Sequence, residues 1–221
     1  MIITIDGPAS AGKGTLASTL AGIYHLAYFD TGMVYRAVGL DLRLQNQDIN
    51  DEALAEASAK ALTFAKMIEL SKHREFRSSE GGVAASVVSA QPKVRAALLK
   101  MQQDFSLNPV FADGTPANGA VYDGRDTGTV VCPQADIKFF ITASSEVRAQ
   151  RRFIELQEKG INTPYEKVLA DIVFRDERDS QRSTAPLKPA ADAHLLDTSD
   201  LSIEQVVEQA CKIIESHKES A

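Results

Sequence analysis

The sequence predicts an α/β fold built on a doubly wound, five-stranded parallel sheet with helices packed against it. Three observations support this prediction. The chain opens with a short apolar run, 2–6, that leads directly into a glycine-rich turn. Other short apolar runs alternate with segments of helical periodicity. One of these runs, 137–142, is of the kind found in strands that are buried on both faces of a parallel sheet.

The first half of the chain is expected to be mainly helical. Leu16, Leu20 and Ile23 recur at helical spacing, which predicts a helix that begins near Gly12. A short strand follows at 27–29. Further helical patterns occupy 34–42, 50–62 and 83–105, and the last is broken at Pro92. The polar segment 71–82 lacks this spacing, so we expect it to be mobile or inserted.

The second half returns to alternating strands and helices. Two Pro, two Gly and two Asn in 108–119 predict a surface loop. Strands are expected at 120–123, 137–142 and 194–197, and helices at 144–160 and 164–182. Gly160 is placed to act as a helix C-cap. Ser202 and Gln205 have the spacing of a capping box, which predicts a closing amphipathic helix through Ile214.

Length and composition limit the function classes. The chain has 221 residues and a net charge of −6, which suits one domain and argues against a nucleic-acid polymer as partner. A secretory signal pattern and a long apolar run are both missing from the sequence, so we expect a cytoplasmic protein with no membrane contact. A monomer is expected. Cys132 and Cys211 lie far apart and outside any metal-ligand pattern, and we expect neither chemistry nor a protein-bound structural metal from them.

The glycine-rich turn after the first strand has the composition of a phosphate-binding loop. A strand, a glycine-rich turn and a helix start place backbone N–H groups and a Lys ammonium around a di- or triphosphate. An ordinary glycine-rich turn is the alternative. Because Gly14 separates Lys13 from Thr15, direct Mg²⁺ ligation by Thr15 does not follow from the pattern. The predicted phosphate-binding residues are Gly7, Pro8, Ala9, Ser10, Ala11, Gly12, Lys13, Gly14 and Thr15.

Charged residues follow several of the predicted strands. Segments 30–32 and 123–126 and residue Asp197 should all lie at the carboxyl edge of the sheet, where ligands bind in this architecture. Arg175, Arg178, Asp179 and Arg182 are spaced to share one helical face. A solvated salt-bridge lattice is the alternative for this face, and a plain turn is the alternative for 123–126. Beside a phosphate loop, such cations fit phosphoryl groups better.

Two residues beyond the second strand are also candidates. Arg36 lies one helical turn after Gly32, and Tyr35 beside it offers an aromatic face for a base. A surface cation and a core tyrosine are the alternatives.

These segments closely resemble the bacterial cytidylate kinase family, within the P-loop nucleoside monophosphate kinases. The resemblance covers most of the chain. It rests mainly on the Asp-Gly-Arg-Asp block at 123–126 and the Arg-Asp-x-Arg-Asp block at 175–179, together with 2–15, 30–36, 92–99, 156–160 and 185–187. It implies a short monophosphate-binding insertion at about 45–105 and a lid at about 150–175. The insertion is shorter and more polar here than in longer members of the family, and the loop 108–119 is longer.

The resemblance also implies the ligands and the residue roles. ATP with Mg²⁺ is the implied cofactor, held by residues 7–15, and CMP and dCMP are the implied substrates. Ser86, Arg95 and Asp126 would read cytosine, and Asp179 would hold the ribose. The substrate residues it implies are Thr31, Tyr35, Arg36, Ser86, Arg95, Asp123, Arg125, Asp126, Arg175, Asp179 and Arg182, and the catalytic ones are Lys13, Arg125, Arg175 and Arg182.

Three other functions are weighed against this one. Another small-metabolite kinase of the same fold, of the shikimate or dephospho-coenzyme A type, differs only in its acceptor site. A regulatory GTPase would need Asp-x-x-Gly and Asn-Lys-x-Asp, and neither occurs in the sequence. A non-catalytic nucleotide-binding module would share the phosphate loop but would not consume ATP when a monophosphate is added.

Overall fold

The computed structural model describes residues 1–220 and contains the predicted five-stranded parallel sheet, flanked by helices. The strand order is β2-β3-β1-β4-β5, so β1 lies at the centre. In register, Asp6 at the end of β1 faces Gly124 on β3 and Phe140 on β4. The strands are β1 (Ile2–Asp6), β2 (Ala27–Asp30), β3 (Ala120–Gly124), β4 (Ile137–Thr142) and β5 (His194–Asp197).

Five consecutive helices lie between β2 and β3, as the mainly helical first half predicts, and strands alternate with helical segments in the rest of the chain. The helices are α1 (Lys13–Tyr24), α2 (Gly32–Leu44), α3 (Glu52–Ala61), α4 (Phe64–Ser71), α5 (Ser79–Val88), α6 (Pro92–Leu107), α7 (Ser145–Glu158), α8 (Tyr165–Gln181) and α9 (Ile203–Ser220). A short π-helical turn, Thr127–Val131, follows β3. The predicted break at Pro92 is confirmed, because Pro92 is the first residue of α6.

The polar segment 71–82 contains more structure than its composition predicts. Helix α4, which the sequence did not indicate, ends at its first residue and begins after Thr63, whose hydroxyl accepts a hydrogen bond from Lys66 N at 3.2 Å. The segment is also anchored, since Phe76 inside it is fully buried. Its last residues enter α5, which Ser78 caps by accepting from Gly81 N at 3.1 Å.

Two predicted helix ends are confirmed in detail. Gly160 adopts a φ of +71°, and its N–H and that of Ile161 donate to the carbonyls of Gln157 and Leu156, which makes a Schellman motif at the end of α7. Ser202 and Gln205 exchange hydrogen bonds of 2.9 and 3.3 Å before α9, as a capping box requires. Helix α9 continues past the predicted end at Ile214.

The chain divides into two compact units. Unit 1 comprises Met1–Phe29 and Asn108–Ala221, and unit 2 comprises Asp30–Leu107. The core of unit 1 joins β1, β4, α1 and α9 through Ile5, Leu20, Phe139 and Ile214, all buried. A smaller apolar cluster packs α7 against α8 through Ala149, Leu156 and Val168.

In unit 2, the Asp41 carboxylate accepts from Ser58 Oγ at 2.6 Å and pairs with Lys66 Nζ at 2.7 Å, so α2 is linked to both α3 and α4. No helix within residues 1–220 is both long and apolar enough to cross a membrane.

Candidate active site

The phosphate loop joins β1 to α1 through a backbone that needs small residues. Gly7, Ser10 and Gly12 have φ values of +150°, +59° and +95°. A Cβ atom on Gly7 would lie 1.9 Å from the carbonyl oxygen of Ile141 on β4, so only glycine fits there. Gly12 stands directly before α1, whose N-terminal N–H groups are therefore open toward the loop.

Lys13 is held inside this loop. Its Nζ donates to the Pro8 carbonyl at 2.8 Å and lies 3.9 Å from Asp123 Oδ1 at the end of β3. Burial, with help from the nearby Arg125 guanidinium, lowers the pKa of Lys13 from 10.5 to about 7, although the Asp123 carboxylate opposes the shift. The site therefore holds a poorly compensated positive charge, which an anionic ligand would stabilise.

Asp123 also approaches the loop at Gly14. A Cβ atom on Gly14 would stand 3.2 Å from Asp123 Oδ2 and 3.7 Å from the Tyr28 hydroxyl. This close approach is a physical reason for glycine at the position that interrupts the usual Lys-Ser/Thr pair.

Three arginines surround two buried carboxylates in unit 1. Asp179 on α8 accepts from Arg125 Nε at 3.1 Å and lies 3.9 Å from Arg175 Nε. Arg182 lies 3.7 Å from Asp126. Burial alone raises the pKa of Asp179, but the three guanidinium groups together hold that pKa below its ordinary value. Asp179 is therefore an anion that keeps the cations together.

The expected single helical face is only partly correct. Helix α8 ends at Gln181, and Arg182 has an extended backbone with its Nε donating to Ala185 O at 2.6 Å. Arg178 lies over the Phe174 ring at 4.8 Å. The chain leaves the helix before Arg182, which brings that side chain to Asp126 from the following loop.

Asp6 holds the segment after Asp126 in place. Its carboxylate accepts from Thr127 N, Thr127 Oγ1 and Gly128 N, each at 2.8 Å. Burial raises the pKa of Asp6, while these hydrogen bonds oppose the rise. The end of β1 thus fixes the backbone that follows Arg125 and Asp126.

Sequence reasoning missed several residues around the loop. Arg148 on α7 is buried and donates to the carbonyls of Ala9 and Ala143 at 3.3 and 2.9 Å. Thr198 Oγ1 donates toward Ala11 O at 3.3 Å and accepts from Arg151 at 3.0 Å. Spacing alone gives little signal for these residues, because the three arginines of α7 resemble a charged helix surface.

A cavity of about 420 Å³ opens beside the phosphate loop. Its wall combines the loop with α7 and with the start of α9. It is lined by Gly12, Thr15, Arg152, Leu201, Val206 and Val207, among others. Its size and mixed lining are those of a small-molecule site.

The remaining predicted residues lie in unit 2. Arg36 donates to the Phe76 carbonyl at 2.9 Å and faces Gly82, where a Cβ atom would stand 3.6 Å from the guanidinium. Thr31, Ser86 and Arg95 are buried.

Tyr35 is buried too, and the Arg95 guanidinium covers its ring at 5.3 Å, so in this structure the ring supports Arg95. Its stacking on a base stays a prediction. On the same helix, Gly39 permits the close packing of α2 on α5, because a Cβ atom there would lie 2.9 Å from Ala84 Cβ.

Comparison with known proteins agrees with this geometry. A solved structure of an uncharacterized protein from Eubacterium ventriosum shares the fold, with a TM-score of 0.54 and 11% identity over 98% of this chain and 99% of that one. A family model described as cytidylate kinase matches residues 3–216.

Curated relatives cover nearly the full length. A protein named cytidylate kinase from Paramagnetospirillum magneticum is 50% identical, over 98% of this chain and 99% of its own. Its counterpart from Xanthobacter autotrophicus is also 50% identical, over 99% of each chain. The phosphate loop, the arginines grouped around buried carboxylates and this full-length similarity together show that the chain belongs to the cytidylate kinase family.

Proposed function

We propose that the protein transfers the γ-phosphoryl group of ATP to the 5′-phosphate of CMP or dCMP. The observation that carries this proposal is the grouping, in unit 1, of Lys13, Arg125, Arg175 and Arg182 around the carboxylates of Asp123, Asp126 and Asp179. Phosphoryl transfer is accelerated mainly by positioning and by cations that stabilise the migrating group, and this cluster offers both.

The donor nucleotide would occupy the phosphate loop and the cavity next to it. The N–H groups of the loop and the Lys13 ammonium would hold its phosphates. The cavity of about 420 Å³ would take its base, with Arg152 beside the apolar side chains of Leu201 and Val206.

Mg²⁺ would accompany the donor phosphates. Mg²⁺ usually keeps several waters and binds substrate phosphates plus one or two carboxylates. Asp123 would be one such carboxylate, since it stands against the loop at Gly14, and Thr15, which lines the cavity, would be the nearby hydroxyl residue. When bound, the metal neutralises phosphate charge.

The acceptor would be read by buried polar groups. Asp126 would accept a hydrogen bond from the cytosine amino group, while Arg95 and Ser86 would donate to the ring nitrogen and carbonyl. Arg36, Arg125 and Arg182 would hold the acceptor phosphate, and Asp179 the ribose. Uracil reverses the donor and acceptor pattern, which would leave the Asp126 carboxylate facing a carbonyl.

The reaction needs no general base, because the acceptor phosphate is anionic at neutral pH. The charged segment 151–163, within the proposed lid at about 150–175, would close over the donor and exclude water. The monomeric state and the cytoplasmic location remain predictions, which light scattering and cell fractionation would test.

A coupled assay with CMP, dCMP, UMP, AMP and shikimate as acceptors tests the proposal. We expect ATP consumption to depend on the acceptor and to favour the two cytidine nucleotides over UMP and AMP. Equal rates with UMP would refute the base assignment, and a preference for shikimate would refute the function. ATP binding without acceptor-dependent turnover would identify a nucleotide-binding module.

A further inference from the structure

A buried arginine outside the proposed catalytic set connects the phosphate loop to helix α8. The Arg148 guanidinium binds Asp176 through two hydrogen bonds, at 3.1 and 2.6 Å, and reaches the Ala9 carbonyl at 3.3 Å. Its Nε donates to the carbonyl of Ala143, the residue after β4, at 2.9 Å. The Arg148 side chain is 6% exposed. One planar group therefore contacts three separate segments of unit 1.

The contact with Ala9 fixes the orientation of one peptide in the phosphate loop. A trans peptide is planar, so the N–H of Ser10 points opposite to the Ala9 carbonyl that Arg148 holds. Ser10 has a φ of +59°, a conformation that needs support in a non-glycine residue. Arg148 supplies this support from the side opposite the Ser10 N–H.

The contact with Asp176 links Arg148 to the arginine cluster. On α8, Asp176 lies between Glu177 and Arg175, and Arg175 is a member of that cluster. Asp179, one turn further along the same helix, lies 3.1 Å from Arg125 and 3.9 Å from Arg175. The position of Asp176 therefore sets the position of the helical turn that carries two members of the cluster.

We infer that Arg148 is a positioning residue for phosphoryl transfer, which through Asp176 holds Arg175 in register with the phosphate loop. The inference rests on the proposed function. Arg148 acts through the loop peptide and through α8 and does not contact the substrates. The planar guanidinium is needed because a lysine ammonium cannot donate to the Asp176 carboxylate and the Ala9 carbonyl with the same geometry.

The first test is Arg148→Lys, which keeps the charge and loses the fork. We expect kcat with CMP to fall about 10- to 100-fold, because a displacement of about 1 Å has that effect on a reacting pair. KM for CMP should change less than kcat does, since Asp126, Arg36 and Arg95, which would also hold the acceptor, lie outside the displaced helical turn. Arg43→Lys is the matched control. Arg43 pairs with Glu75 at 3.2 Å in unit 2 and should keep the kcat of the parent chain.

The second test changes the other end of the contact. Asp176→Asn should lower kcat to a similar extent, and Asp176→Glu should recover part of the loss. The double variant Arg148→Lys with Asp176→Asn should lose no more than about the larger single loss, because the two residues act as one unit. If the kcat loss of the double variant equals the product of the two single losses, the inference is overturned.

Circular dichroism and thermal melting establish that each variant is folded. A folded Arg148→Lys with the kcat of the parent chain overturns the inference. If Arg148→Lys does not fold, the Asp176 variants decide, since they leave both carbonyl contacts of Arg148 in place and Asp176 is 24% exposed. Unchanged kcat in Asp176→Asn then overturns it. If the parent chain itself phosphorylates no cytidine nucleotide, the proposed function has failed instead.

Discussion

Replacing Lys13 with methionine should stabilise the fold while it removes activity. Burial, together with the charges of the Arg125 and Arg175 guanidinium groups, lowers the pKa of Lys13 from 10.5 to about 7. Methionine has a similar length and needs no hydration. The phosphate loop therefore keeps a charge that the folded chain would be more stable without, as expected where binding an anion is the purpose of the site.

The magnitude follows from proton linkage. The unfolded chain keeps the proton of Lys13 up to about pH 10.5, whereas the folded chain releases it near pH 7. Between these values the unfolded state binds more protons, so the free energy of unfolding of the parent chain rises with pH by about 1.4 kcal/mol per unit.

Below pH 7 the whole pKa shift of Lys13 destabilises the folded parent chain by about 5 kcal/mol. Methionine removes this cost, but it also loses the hydrogen bond to Pro8, which offsets about 1 kcal/mol of the gain. We therefore expect Lys13→Met to be more stable by about 2–4 kcal/mol at pH 6.

Urea unfolding of both proteins from pH 6 to pH 9.5 measures this difference. The advantage of Lys13→Met should be largest at pH 6 and should shrink steadily above pH 7, while its kcat/KM is at least about 100-fold lower. Lys100→Met, at a lysine that is 82% exposed, is the control and should change stability by less than about 0.5 kcal/mol at every pH. A pH-independent difference, or a less stable Lys13→Met at pH 6, would refute the reasoning.

Two further predictions concern the loop and the acceptor. Gly7→Ala should lower the free energy of unfolding by about 3 kcal/mol or more, because its Cβ would meet Ile141 O at 1.9 Å, whereas Gly12→Ala, with no atom within 4 Å of its Cβ, should cost only about 1–2 kcal/mol of backbone strain. Thermal melting compares the two, and equal losses would contradict the steric argument. Asp126→Asn should reduce the preference for CMP over UMP by about 5- to 150-fold in kcat/KM, because an amide can donate to the uracil carbonyl. An unchanged ratio in the acceptor assay would remove Asp126 from base recognition.

The sequence predicted the sheet well because the strands of parallel sheets are short and apolar. The run 137–142 coincides with β4, and the phosphate loop follows β1 as expected. The helix caps at Gly160 and Ser202 were predicted equally well, since each cap is formed by residues that are close in sequence. Helix α4 was missed because it has only 8 residues and buries only Met67 and Leu70.

Contacts between distant segments could not be predicted in the same way. Arg148 lies among other charged residues of α7, and nothing in its spacing distinguishes it from Arg152, which pairs with Glu155 at 2.7 Å at the surface. Its buried role depends on where Asp176 and Ala9 meet in space. The position of Arg182 could not be predicted for the same reason. Its place in the sequence continues the helical spacing, although the helix has already ended before it.

The register of the central strands has a consequence for catalysis. In the pairing of β1 with β3, Ile5 lies opposite Asp123 and Asp6 opposite Gly124. The backbone ladder itself therefore places the start of the phosphate loop beside the residue that precedes Arg125. This alignment is completed when the protein folds, so the dipoles and charges of that half of the site need little reorganisation during turnover. Binding energy from the nucleotides is then free to act on the transition state rather than on assembling the scaffold.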